Sequence, residues 1–238
     1  MRRRIVILKT GSTFEDVAEE RGDYEHWIAE GLGVADEVVT TVDVQRGEKL
    51  PEPRAIEALV VTGSAAMVTE REAWSVAAGA LLSVVVERGA PVLAICYGHQ
   101  LLAEALGGEV GYNPRGRQIG TVHVTLSDAG RSDPLLGPLG TRSRFQATHK
   151  QSVLRLPPGA VHLAQSPLDD NHAYRIGRRG WSVQFHPEFD ARAMSTYIER
   201  RAELIREEGG DPDTLLGGIQ ETPEGPRLLA RFADLIGK

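Results

Sequence analysis

The stretch that most constrains this 238-residue chain is Ala90-Pro91-Val92-Leu93-Ala94-Ile95-Cys96-Tyr97-Gly98-His99-Gln100-Leu101-Leu102. Val92 to Ile95 is an apolar run of buried-strand length, opened by Pro91 and stopped at the chain's single cysteine. Beyond Gly98, the residues Leu101, Leu102, Ala105 and Leu106 recur at helical spacing until Gly107-Gly108. The pattern predicts strand, tight turn and helix, with Cys96 on the turn. Gly98 stands where a Cβ would crowd such a turn. The related nucleophile elbow carries glycines on both sides, and here the first position is the small Ala94. A side chain on this turn projects from the carboxyl end of a central strand, where open α/β sheets take their ligands. It also faces the helix end that favours negative charge.

The rest of the chain repeats that rhythm. Ile5 to Leu8, Val38 to Val44 and Ile56 to Val61 read as strands, residues 23 to 31 as a helix, and Glu72 to Val85 as another with Thr69 as its cap. After Gly108 the rhythm changes to short strands between Gly, Pro and Asn turns, over Glu109–Tyr112, Gly120–Leu126, Phe145–Thr148, Val161–Ser166 and Ala173–Ile176. Residues 190 to 208 and Pro226 to Ile236 read as helices. The expectation is an α/β fold in one domain over residues 1–238: an open, mostly parallel sheet with helices on both faces and antiparallel strand additions. A helical extension follows over about 209–238.

Composition narrows the function classes. A net charge of −6 argues against nucleic-acid or anionic-membrane binding. Arg2-Arg3-Arg4 leads into no apolar core of signal-peptide length, and no run reaches transmembrane length. One cysteine leaves no internal disulfide and fits a reducing cytoplasm. His26, His123, His162 and His172 show no ligand spacing, so neither metal nor cofactor is expected.

A lone buried cysteine is usually an inert small hydrophobe. A second stretch changes that reading: Gly180-Trp181-Ser182-Val183-Gln184-Phe185-His186-Pro187-Glu188. It predicts a strand over Trp181–Phe185 that runs into a His, with a carboxylate two positions on. Residues i and i+2 of an extended segment point the same way, so Glu188 can hold the His186 imidazole. A cysteine, a histidine distant in sequence and a carboxylate beside it form a nucleophile, base and orienter set. Together, Cys96-Tyr97-Gly98-His99-Gln100 and Gln184-Phe185-His186-Pro187-Glu188 resemble the class I glutamine amidotransferase family, whose signature is a Cys-x-Gly-x-Gln turn and a later His-Pro-Glu. The resemblance covers roughly Ile5 to Ile198 and implies the family's flavodoxin-like sheet.

The resemblance also implies roles. Cys96, His186 and Glu188 are the catalytic residues, with an oxyanion hole made by the backbone N–H groups of Gly63 and Tyr97. A tetrahedral intermediate needs two such donors, each worth ~3 kcal/mol. Gln100 falls one turn into the helix, on the face of Cys96, and is implied to hold the amino-acid end of the substrate. Thr148-His149-Lys150-Gln151-Ser152-Val153 matches a substrate loop that often reads Ser-His-Gly-Asp-x-Val, so Thr148, His149 and Lys150 are candidate substrate contacts. Lys150 and Gln151 depart from the usual Gly and Asp, which puts free glutamine as the substrate in question. An amino group at Lys150 could pair with a substrate carboxylate or sit in solvent. His99 reads as a packing or capping residue.

The implied activity is hydrolysis of the glutamine side-chain amide through a γ-glutamyl thioester. No Gly-x-x-x-x-Gly-Lys-Ser/Thr or Gly-x-Gly-x-x-Gly loop is present. The expected partner is therefore a separate synthetase that takes the ammonia. The alternatives are a freestanding hydrolase of γ-glutamyl peptides or amides, and a non-catalytic regulatory domain of the same fold.

Overall fold

The computed structural model describes residues 4–35 and 38–237. Arg2 and Arg3 of the basic cluster lie outside them. In chain order the strands are β1 (Ile5–Lys9), β2 (Val39–Asp43), β3 (Ala58–Val61), β4 (Val92–Ile95), β5 (Glu109–Tyr112) and β6 (Gln118–Leu126). They continue with β7 (Arg142–His149), β8 (Gln151–Arg155), β9 (Val161–Gln165), β10 (Ala173–Ile176) and β11 (Gly180–Val183). One sheet runs in the order β2-β1-β3-β4-β11-β10-β9-β6-β7, and β5 pairs with β8 apart from it. From β2 to β11 the neighbours are parallel, and from β11 to β7 antiparallel. This is the expected α/β fold.

Burial explains which strands are central. Every residue of β3, β4 and β11 is buried, so these short runs need cover on both faces. In β1, alternate side chains serve opposite layers. Ile5 and Ile7 join a cluster with Ile28, Leu32, Leu228 and Phe232, while Val6 and Leu8 join Leu82, Val85 and Leu102. The helices Tyr24–Leu32 and Glu224–Ile236 thus cover one face, and Ala73–Glu87 and Tyr97–Ala105 the other. Among the described residues no helix is long and apolar enough to cross a membrane.

The C-terminal helix belongs to this core. Leu228, Leu229, Phe232 and Ile236 are buried, and Phe232 meets Trp181 edge to face at 6.0 Å and 87°. At its start, the Gly225 backbone presses so closely on the Pro187 carbonyl that a Cβ would not fit. The helix is therefore tied to the His-Pro-Glu turn.

Four local readings differ from the structure. Residues 190–208 form two helices, Ala191–Arg200 and Ala202–Glu207, interrupted at Arg201 (φ −108°, ψ 13°). Residues 148–153 are not a loop. They are the end of β7, the single residue Lys150, and the start of β8, whose Gln151, Ser152 and Val153 are all buried. Thr69 lies in a 3-10 turn rather than at a helix cap, and its Oγ1 accepts from Gln151 Nε2 at 2.6 Å. Glu72 takes the cap position. Finally, Glu15–Arg21 is helical although it buries no residue, which leaves no apolar stripe to read.

Phe232→Ala should destabilise the protein by about 3–5 kcal/mol through the lost ring and the cavity it leaves. Urea unfolding measures this, and a loss under about 1 kcal/mol would mean the C-terminal helix is only loosely attached to the core.

Candidate active site

Three strand ends meet at the carboxyl edge of the parallel sheet, because β3, β4 and β11 are neighbours. They deliver Thr62-Gly63, Cys96 and Gln184-Phe185-His186 to one place. Cys96 sits at φ 49°, ψ −99°, a left-handed conformation that is costly for a residue with a Cβ. Hydrogen bonds on both sides hold it there. Cys96 N–H donates to the Val183 carbonyl at 2.8 Å, and Gly98 N–H donates to the Thr62 carbonyl at 3.3 Å. The glycine is required by its surroundings, since a Cβ at Gly98 would lie 2.8 Å from Val61 Cβ and 2.9 Å from Val61 O.

His186 is anchored through its own backbone, whose N–H donates to the Gln146 carbonyl at 2.8 Å. Its ring stacks on Phe189 with centroids 4.2 Å apart, and its Nδ1 lies 2.7 Å from Glu188 Oε1. The Glu188 side chain is fully buried. Burial alone would lower the imidazole pKa. The Glu188 carboxylate, hydrogen-bonded to the ring, and the nearby Cys96 sulfur outweigh it and raise the pKa to about 10. His186 is thus an imidazolium at neutral pH.

Gly63 completes the cluster. A Cβ there would stand 2.8 Å from His186 Cε1 and 3.6 Å from Cys96 Cβ, so this backbone lies against both side chains. The carbonyl before it, that of Thr62, is pinned by Gly98 N–H and by the Thr10 hydroxyl at 2.9 Å. The planar trans peptide then turns the Gly63 N–H the opposite way. Tyr97 opens the helix, so its N–H has no intrahelical acceptor.

A cavity of about 60 Å³ opens beside Cys96, lined among others by Ser64, Gln100, Thr148, Lys150 and Arg201. It has room for a few water-sized atoms, the scale of a side-chain end group. Larger grooves, of about 580 and 690 Å³, lie against β6 and beside the C-terminal helix, and neither contains Cys96.

The remaining candidates are placed as follows. Thr148 has its carbonyl 3.9 Å from Cys96 Sγ. The Gln100 amide nitrogen is committed within the protein, donating to the Gln151 carbonyl at 2.7 Å and to Gln184 Oε1 at 3.0 Å. His149 also lines the cavity, and its ring nitrogens are committed within the protein, with Nε2 3.0 Å from Gln118 Oε1 and Nδ1 2.9 Å from the Gln151 carbonyl. Lys150 reaches the cavity rim, but its Nζ pairs with Glu208 Oε1 at 2.8 Å. His99 is buried, with Nδ1 2.7 Å from Ser182 Oγ. Arg117 and Arg201, which no sequence signal distinguishes from solvated charges, also line the cavity. Among the described residues no group of three or more His, Cys, Asp or Glu could hold a metal ion.

The buried histidines give this region a pH signature. Burial pushes His99 down to about 3 and His149 to about 4. Between about 4 and 6.5 the unfolded chain binds protons that these folded imidazoles refuse, so stability rises with pH there. His186 acts in the opposite sense. Its contribution is full below 6.5 and is lost as pH climbs to about 10. Urea midpoints across pH should therefore peak near neutrality. His186→Gln should flatten the alkaline limb, and an unaltered limb would show that this imidazolium does not stabilise the fold.

The family model for class-I glutamine amidotransferases matches residues 20–203. GMP synthase (glutamine-hydrolyzing) of Aeropyrum pernix is 36% identical over 176 residues, covering 72% of this chain and 32% of that protein. One subunit of the glutamine-hydrolyzing GMP synthase of Natronomonas pharaonis is 41% identical over 99 residues, covering 41% of this chain and 52% of that one. The chain thus spans between a third and about half of these relatives' lengths. In structure it resembles a glutamine amidotransferase from Thermotoga maritima, with a TM-score of 0.75 and 22% identity over 99% of this chain and 98% of that one. That likeness bears on the fold.

Proposed function

The chain belongs to the class I glutamine amidotransferase family, and from that premise we propose that it hydrolyses the side-chain amide of a γ-glutamyl substrate through a thioester on Cys96. The carrying observation is the buried His186 Nδ1–Glu188 Oε1 contact of 2.7 Å, with Gly63 packed against both His186 and Cys96. The Cys96 sulfur attacks the amide carbonyl carbon, and the developing oxyanion is received by the Gly63 and Tyr97 N–H groups. His186, already an imidazolium, gives its proton to the departing nitrogen, and the C–N bond breaks to release ammonia. Water then attacks the thioester. His186 takes the water's proton, the C–S bond breaks, and glutamate leaves with the sulfur restored. Glu188 keeps the imidazole oriented and its charge compensated throughout.

Cys96→Ser should fold and lose amide hydrolysis, because a hydroxyl is far less acidic than a thiol. Glu188→Gln should lower kcat substantially with a modest change in KM. Ammonia release from glutamine measures both, with melting temperatures as the folding control. Wild-type kcat in Glu188→Gln would reduce the His-Pro-Glu turn to a structural feature.

The ammonia, on this reading, passes to an acceptor-activating synthetase on a separate polypeptide. The support is the Natronomonas relative, which is named as one subunit of a GMP synthase rather than as the whole enzyme. The isolated protein should then turn over glutamine slowly, and addition of the cognate synthetase should raise the rate by orders of magnitude. Turnover of a γ-glutamyl peptide by the isolated protein at an ordinary roughly 1–10³ s⁻¹ would instead favour a freestanding hydrolase.

A further inference from the structure

Three cations border the cavity beside Cys96: Arg117, Lys150 and Arg201. Two of them share one carboxylate. Glu208 takes Arg117 Nε at 2.7 Å and Lys150 Nζ at 2.8 Å, and the hydrogen bonds from Arg117 and then Lys150 pull its carboxyl down to about 2. Arg201 stands apart. Among the described residues it has no carboxylate partner; one of its terminal nitrogens donates to Thr148 Oγ1 at 2.7 Å, and the guanidinium lies 5.0 Å from the Tyr197 ring centroid. A guanidinium has five N–H donors in a fork that matches a carboxylate, so most of its capacity is unspent here.

Thr148 links this charge to the sulfur. Its carbonyl oxygen is 3.9 Å from Cys96 Sγ and its hydroxyl holds Arg201, so one residue spans from nucleophile to cation. In glutamine, four carbon–carbon bonds separate the side-chain amide carbon from the α-carboxylate carbon, roughly 5 Å when extended. Cys96 and Arg201 line the same cavity, so the two ends of such a chain can face one each.

We infer that Arg201 is the docking cation for the α-carboxylate of the γ-glutamyl substrate, while Glu208 keeps Arg117 and Lys150 from that role. The inference rests on the Cys96 chemistry proposed above and narrows its substrate class. Glutamine and γ-glutamyl amides with a free α-carboxylate are accepted. L-glutaminamide, and glutamine inside a polypeptide, present no anion to Arg201 and are rejected. Lys150, the cation that the sequence pattern singles out at this rim, is already paired with Glu208.

Two measurements test it. The wild-type protein, with its synthetase if one is required, should hydrolyse L-glutamine with a kcat/KM at least roughly 30-fold above that for the side-chain amide of L-glutaminamide. Equal values overturn the inference. The second uses Cys96 alkylation by 6-diazo-5-oxo-L-norleucine, which carries the α-carboxylate, and by iodoacetamide, which does not. Arg201→Gln should lower the ratio of the two labelling rates by a similar factor, and Arg201→Lys should recover part of it. An unchanged ratio in a variant that melts like wild type assigns the carboxylate elsewhere. If iodoacetamide labels the wild-type Cys96 and the diazoketone does not, the γ-glutamyl chemistry itself is wrong, and that failure is distinct from the first.

Discussion

The backbone at Cys96 is the constraint on which the rest of the site depends. A non-glycine residue at φ 49° carries a conformational cost of order 1–3 kcal/mol, which persists only where the surroundings over-determine it. Here the surroundings are the two flanking strands. The bond to Val183 comes from β11 and the bond through Gly98 to Thr62 from the end of β3, so the turn is held between them. The same hydrogen bond that fixes Gly98 pins the Thr62 carbonyl and with it the direction of the Gly63 amide. Strain, thiol position and amide orientation are one arrangement.

The buried imidazoles show how neighbours decide what burial does. His99, His149 and His186 are all nearly inaccessible to water, and desolvation disfavours the charged form of each. His99 and His149 are hydrogen-bonded to hydroxyl, amide and carbonyl groups, with another imidazole adding to the downward push. A carboxylate near them, that of Asp169, stands 3.9 Å from His149 Nε2 with its own pKa raised by burial, and the two rings stay neutral. His186 faces a carboxylate and a sulfur, and it is charged. The cationic histidine is the one with its counter-charges two residues along the chain and across the turn, which is where a proton is needed for ammonia to leave under the proposed chemistry.

Much of this was legible in the chain, for identifiable reasons. The parallel core follows from four-residue apolar runs such as Val92–Ile95, and the pairing of His186 with Glu188 follows from two-residue periodicity in an extended segment. The reading of residues 148–153 as a loop failed because β8 opens on two buried polar residues, Gln151 and Ser152. Gln151 and Ser152 are held by hydrogen bonds with Thr69, Gln100, His149 and Asn113 rather than by apolar packing, so the run carries no hydrophobic alternation. The helix over 190–208 kept its amphipathic stripe across Arg201, so periodicity could not show the break.

That break is where composition stops being a guide. A charged residue on an amphipathic helix is ordinarily a solvated one, and Arg200, one position earlier, reaches out to Asp16 in that way. Arg201 has left helical geometry, and its side chain runs inward over Tyr197 to Thr148 instead. Further along, Glu208 closes the second helix and draws Lys150 and Arg117 to itself. Two helix ends thus sort three cations into a pair that shares one carboxylate and a third that, among the described residues, has none. The rim of the cavity owes its charge pattern to where helices stop rather than to any motif in the residues themselves.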